Sequence, residues 1–251
     1  MKAAATLQFP RKTIFGWTGI SVAATTLVGW ALLSPPFSPT QPMPDMADNP
    51  VSLPGGDKLY VQRHEVTVAE WNRCHADSGC TMELRVRAGL DPDSTPATGL
   101  SYLDAAEYLG WFNAATGHEF RLPSLAEWEH IAKPVLPEEP DPIFTDPSLT
   151  WASTYLTEGI APRALKPQGS YSTSPEGIVD LDGNVWEWTQ ECYAGVGEGI
   201  DPDRCPAFFV GGEHVAAVPF LVRDPARGGC AVGSPPAHLG MRLVSDALPQ
   251  A

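Results

Sequence analysis

Positive charge is scarce in this sequence. Its 251 residues hold 16 Lys and Arg against 30 Asp and Glu, a formal charge of −14. That balance excludes nucleic acid and anionic lipid headgroups as the main partner. No internal repeat occurs, and neither GxGxxG nor a Walker loop is present, so the usual dinucleotide and phosphate cradles are absent. There is no CxxC, and no Cys or His pair has finger spacing, which argues against a structural zinc. Long apolar runs are confined to one place near the N-terminus.

What remains is enough for a folded domain. Hydrophobic residues make up 43 % of the chain, which supports a buried core. The 26 Pro and 23 Gly favour a loop-rich fold over long helices or wide sheets. Charge is unevenly spread. Residues 1–40 hold Lys2, Arg11 and Lys12 and no acid. Residues 13–34 carry no charge and, at about 1.5 Å per residue, are long enough to cross a bilayer core of roughly 30 Å. Trp17 and Trp30 sit near the two ends, where aromatic rings favour the interface. The sequence therefore predicts a cytoplasmic stretch over 1–12, one transmembrane anchor over 13–34 and a Pro-rich linker over 35–54; the alternative is a cleaved signal peptide, for which the apolar stretch is long and no clean small-x-small site follows before Pro35-Pro36. A folded domain follows over 55–247. The positive-inside rule places the domain outside the cytoplasm, on the periplasmic side of a bacterial inner membrane.

All five cysteines lie in that exported part. In an oxidising compartment, the close spacings predict two local disulfides, Cys74 with Cys80 and Cys192 with Cys205, and leave Cys230 over.

Three capping boxes mark helix starts. Thr67 with Glu70 opens a helix from Val68 to about Ala76. Ser101 with Asp104 opens a second, whose expected apolar stripe is Leu103, Ala106, Tyr108, Leu109 and Phe112, with Gly117 past its end. Ser124 with Glu127 opens a third, to about Ala132, with Trp128 turned into the core. Lys58 to Val66 and Phe120 to Leu122 read as strands. The remaining strands are short: Ile178-Val179, Val185 to Thr189, Phe208 to Val210, Ala226 to Gly229 and Met241 to Val244. A few early helices followed by irregular β structure is an α+β pattern. Arg121 is placed to pair with an acid.

Four segments in this order carry a family resemblance: His64 to Trp71 (HEVTVAEW), Arg121 to Glu129 (RLPSLAEWE), Asp180 to Trp188 (DLDGNVWEW), and Arg227-Gly228-Gly229 followed by Leu239 to Leu243 (LGMRL). Together they resemble the sulfatase-modifying factor family, which includes the formylglycine-generating enzymes. The resemblance implies a C-type-lectin-like α+β fold. It also implies a structural calcium site in the third segment, carried over onto Asp180, Gly183, Val185 and Glu187. The residues themselves also fit a simpler reading, in which Asp180 and Glu187 bond backbone N–H groups of a tight turn.

The resemblance further implies oxidation of a substrate cysteine through copper(I) held by two thiolates, a soft-ligand choice suited to that ion. The cysteine pair should lie between the RGG and GMR segments. Here only Cys230 stands there, in a much shortened connection, so no copper is expected. Cys230, paired with His238 or His214, is a weak catalytic candidate. His64, His75, His118 and His130 show no ligand spacing.

The expected function is therefore that of a catalytically inactive, membrane-anchored relative. It would serve as an accessory or scaffold subunit of an inner-membrane complex, a respiratory or photosynthetic one being the type in view. Its acidic outer domain also suits a basic soluble protein such as a cytochrome c. The alternative is an exported formylglycine-type oxidase or maturation enzyme acting on a partner's cysteine.

Overall fold

The computed structural model describes residues 43–136, 164–194, 205–213, 215–224 and 238–249. All lie in one compact unit, residues 39–251. The anchor expected over 13–34 falls outside the described residues. Among those described, no helix is long and apolar enough to cross a membrane.

The three helices form where the capping boxes put them. Thr67 Oγ1 accepts the Glu70 N–H at 3.2 Å, and the Glu70 carboxylate accepts the Thr67 N–H at 2.8 Å, which starts α1, Val68–Ala76. Ser101 and Asp104 do the same for α2, Tyr102–Thr116, which stops at Gly117 in the left-handed region at φ 71°. Ser124 and Glu127 start α3, Leu125–Ala132. Each box satisfies two otherwise orphaned N–H groups and contributes about 1 kcal/mol. The buried face of α2 is Asp104, Ala105, Tyr108 and Phe112. Two members of the expected stripe, Leu103 and Ala106, face solvent instead. The second helix thus buries a capping carboxylate that periodicity would have sent outward.

The strands are short. β1 (Val51–Ser52), β2 (Lys58–Val61) and β7 (Val244–Ser245) form one antiparallel sheet in the order β1-β2-β7. The second sheet has the order β5-β4-β3-β6. It comprises β3 (Trp186–Tyr193), β4 (Ala207–Gly211), β5 (Val215–Pro219) and β6 (Leu239–Gly240). β6 runs parallel to β3, and the other pairs are antiparallel. A bulge in β3 between Trp188 and Cys192 bends that strand. The fold is α+β, as expected.

Several sequence expectations need correcting. Residues 43–54, placed in an extended linker, belong to the folded body. Met46 bridges Gln62, Val51 pairs with Leu59, and Arg63 bonds Asp45 and Asp48. Proline density hid these contacts, because short edge pairings need few donors. The strand expected to Val66 ends at Val61. The segments at Arg121 and Val179 make single bridges only. β5 was missed, its Val-Ala-Ala-Val run being too short and smooth for period-two reading. The strand expected at Ala226–Gly229 lies outside the described residues.

Among the described residues, two apolar clusters make the core. One joins α1 and α2 to the larger sheet through Trp71, Tyr108, Phe112, Trp188, Val210 and Leu239. The Trp71 and Tyr108 rings stack at 5.6 Å. The other sets Trp128 and Ile131 of α3 against Leu59, Val61, Ile178 and Val244. Trp128 reaches its place because Gly211 lies beneath its ring, where an added Cβ would collide with the indole.

Candidate functional site

The third motif segment forms a turn followed by a strand. Asp180 and Asn184 both take left-handed backbone, at φ 65° and 72°, which Asp and Asn tolerate better than other side chains. Gly183 sits against the Tyr171 ring, where a Cβ would clash. The Asn184 amide clamps Lys166, donating to its carbonyl at 3.0 Å and accepting its N–H at 2.9 Å. The turn thereby delivers Asp180 to one side and Glu187, on β3, to the other.

Both carboxylates are buried, and both are fully engaged by protein donors. Asp180 accepts the N–H groups of Tyr171, at 2.8 Å, and Gly169. Glu187 Oε2 accepts the Trp128 indole N–H at 3.0 Å. Its Oε1 accepts two N–H groups of Arg242 at 2.9 and 2.7 Å.

Arg242 is the centre of this arrangement. It lies between β6 and β7 with its side chain 1 % exposed. Its remaining N–H groups donate to the carbonyls of Gln62, Arg63 and Val179 at 3.0, 2.7 and 2.9 Å. One buried guanidinium therefore ties β2, the Val179 segment and β3 together. This is the geometry a buried charge requires.

A third carboxylate faces the same guanidinium. Glu65 is fully buried, 4.0 Å from Arg242 Nη2, and neither of its oxygens has a hydrogen-bond partner. Burial pushes its pKa up to about 8, against the pull of Arg242 and with repulsion from Glu187. At neutral pH Glu65 is mostly the uncharged acid. Gln62 Nε2 is likewise buried without a hydrogen-bond partner.

The ligand set that the resemblance implies for calcium does not fit this arrangement. Calcium needs six to eight free oxygens. Here all four oxygens of Asp180 and Glu187 accept protein N–H groups, and the Gly183 carbonyl accepts the Val185 N–H at 2.9 Å. Glu187 already has a cation at contact distance. Asp180 does bond backbone N–H groups, as the simpler reading held. Glu187 bonds side chains instead. Among the described residues no group of three or more His, Cys, Asp or Glu could hold a metal.

The two expected disulfides are present. Cys74–Cys80 joins the end of α1 to the following loop, and Cys192–Cys205 joins the end of β3 to the approach to β4. Cys230 and His214 lie outside the described residues. His238 lines a cavity of about 190 Å³ with Val68, Leu84, Leu90 and Pro96, and its carbonyl accepts the Trp186 N–H. His64 and His75 each bond a nearby carbonyl. Arg121 pairs, as expected, with Glu127, and also with Asp246.

Sequence reasoning did not single out Arg242, Glu65 or Gln62. A signal existed for the first: Arg242 stands inside the apolar run Leu239 to Val244, and a charge there must be buried and paired. Nothing local marks Glu65, whose isolation depends on residues far along the chain.

The profile of the sulfatase-modifying factor enzyme 1-like domain matches residues 39–247. The formylglycine-generating enzyme of Mycobacterium tuberculosis is 26 % identical over 178 residues, covering 60 % of this chain and 57 % of that protein. The chain thus spans little more than half the length of that relative. Among solved structures, PvdO from Pseudomonas aeruginosa aligns with TM-score 0.49 at 19 % identity, over 79 % of this chain and 89 % of that one. Treponema denticola variable protein 1 aligns with TM-score 0.46 at 16 % identity, over 81 % and 91 %. CarF aligns with TM-score 0.46 at 18 % identity, over 74 % and 85 %.

Proposed function

The chain belongs to the sulfatase-modifying factor enzyme 1-like domain family, and from that premise we propose that it is a non-catalytic member, anchored in the inner membrane by residues 13–34, that serves as an accessory subunit of a membrane complex. The observation that carries this reading is the state of the cysteines. Four of the five are locked in two disulfides. One thiol, Cys230, is left, and one thiolate cannot form a two-thiolate copper(I) site. The four motif segments are kept, yet their described side chains are spent on holding the fold. Two disulfides also suit an oxidising compartment outside the cytoplasm.

The partner in this reading is a set of integral-membrane subunits, with a respiratory or photosynthetic complex as the type. A basic soluble protein such as a cytochrome c suits the acidic surface of the domain. The test is to tag the C-terminus, extract native membranes in mild detergent and identify what copurifies. A stoichiometric set of membrane subunits is expected. The full-length protein recovered alone, with copper(I) uptake and oxygen-dependent modification of a partner that both vanish in Cys230→Ser, overturns the reading. That result would install the oxidase alternative in its place.

A further inference from the structure

We propose that Leu84 to Leu90 is a docking strip for an extended acidic segment of a partner protein, with an apolar side chain of that segment seated in the adjoining cavity. Residues 84–87 follow α1 and its disulfide loop. Their exposure alternates: Leu84 and Val86 are half-buried, while Arg85 and Arg87 are exposed. This is the period-two pattern of an extended strand, yet the segment pairs with no other strand among the described residues. Its start is fixed by Asn72 on α1, whose amide donates to the Leu84 carbonyl and accepts the Leu84 N–H, both at 2.9 Å. Its far end is fixed by the Leu90 N–H donating to the Arg87 carbonyl at 3.1 Å. Between these clamps, Arg85 and Val86 make no hydrogen bond among the described residues. Adjacent residues of an extended segment point their main-chain groups to opposite edges, and the Leu84 edge is turned to Asn72, so the groups of Arg85 are the ones available to an added strand.

Two features say what such a strand should carry. Arg85 and Arg87 form no ion pair among the described residues, in a chain of formal charge −14. Every other described arginine except Arg73 is bound to a carboxylate. Two free guanidinium groups on one face of the strip therefore call for carboxylates on the same face of the added strand. Residues 84–87 all line the partly open cavity of about 190 Å³, the half-buried Leu84 and Val86 lying nearer the domain, and Val68, Leu90, Pro96 and Leu165 supply the rest of its apolar wall beside the polar Thr95, Thr98 and His238. That volume is below the roughly 300–1,000 Å³ of sites that enclose a drug-sized molecule, and it suits a single large apolar side chain. Acid and apolar residues alternating along an extended peptide satisfy both faces at once.

The strip deepens the accessory-subunit reading and rests on it for the partner being a protein. The experiment uses the full chain in detergent and a fluorescein-labelled heptapeptide of alternating glutamate and leucine, read by fluorescence anisotropy. The peptide should bind. The Arg85→Gln/Arg87→Gln double variant should bind roughly tenfold more weakly, as should wild type in high salt. Both substitutions are on exposed side chains, so the fold is not at stake. No binding, equal binding of a lysine–leucine heptapeptide, or unchanged binding by the double variant would each overturn the strip. Copurification separates the two readings. If the double variant brings down its membrane partners at wild-type ratios, the strip is wrong and the accessory reading stands. If wild type binds the peptide but copurifies with nothing, the strip stands and the accessory reading falls.

Discussion

Two arginines hold the C-terminal strands to the rest of the domain, and they differ mainly in their access to water. Arg242 is 1 % exposed and faces Glu187 and Glu65, both wholly buried. Arg121 is 26 % exposed and faces Glu127 and Asp246, the latter mostly in solvent. At the rim, solvent lets every carboxylate ionise. Burial raises Glu127, but hydrogen bonds from Arg121 and Ser124 outweigh it and hold it below its ordinary value. The Arg121 hydrogen bond holds Asp246 down as well. At the hub, one guanidinium satisfies one carboxylate and leaves the other stranded, so Glu65 keeps its proton. The same pairing chemistry gives opposite proton affinities once water is removed.

The largest effect expected from this contrast is on Arg242. Arg242→Met would strand the Glu187 charge and three carbonyls in the core, a loss of about 3–5 kcal/mol. Arg121→Met should cost about 1 kcal/mol or less, since water can replace the lost donors. Urea unfolding of both variants checks this. Equal losses would mean that burial does not separate the two centres.

The pH dependence should split in the same way. Glu65 has an ordinary value of 4.5 and rises to about 8 in the folded protein. Between those values the folded state holds a proton that the unfolded state has released. Stability contributed by the protonated acid is therefore whole below about 4.5 and is lost as pH rises to about 8. The slope is at most about 1.4 kcal/mol per pH unit. Glu65→Gln keeps the neutral shape and should flatten this limb. A limb that persists in Glu65→Gln would assign it to another group.

The rim behaves in reverse. Glu127 and Asp246 lie below their ordinary values of 4.5 and 3.8. Their contribution is present above those values and is lost as pH falls through the lower folded ones. Glu127→Gln should remove part of that acid limb and about 1 kcal/mol of helix capping, leaving the alkaline limb untouched. Thermal melts of wild type and variant from pH 3 to 9 read both limbs together. A change in the alkaline limb would show that the two centres are coupled.

How legible these centres were differs for a physical reason. Thr67, Ser101 and Ser124 announce their helices because a capping box is complete within four residues. Arg121 could be matched to an acid because Glu127 is six residues away, on the first turn of α3. The cysteine pairs were legible for the same reason, being six and thirteen residues apart. Arg242 and Glu187 are 55 residues apart, and Arg242 and Gln62 are 180. No local pattern encodes such partners. The family motifs pointed to Glu187 without saying what it binds. The docking strip was hidden differently: its alternating residues sit in a loop, and whether its arginines meet carboxylates depends on the whole fold.

The smallest expected effect is a null one, and it tests the comparison most narrowly. A divalent ion could bridge Asp180 and Glu187 only by displacing N–H donors of Gly169, Tyr171, Trp128 or Arg242, and at Glu187 it would meet a guanidinium within 3 Å of its site. Repulsion at that range in a buried setting exceeds what a single shared carboxylate returns. The guanidinium already does electrostatically what a metal would do there. Melting temperature should thus be the same in millimolar calcium and in excess chelator, within about one degree. A melt raised several degrees by calcium would show that the loop rearranges to expose oxygens, and the hub would then be a metal site closed by its own arginine.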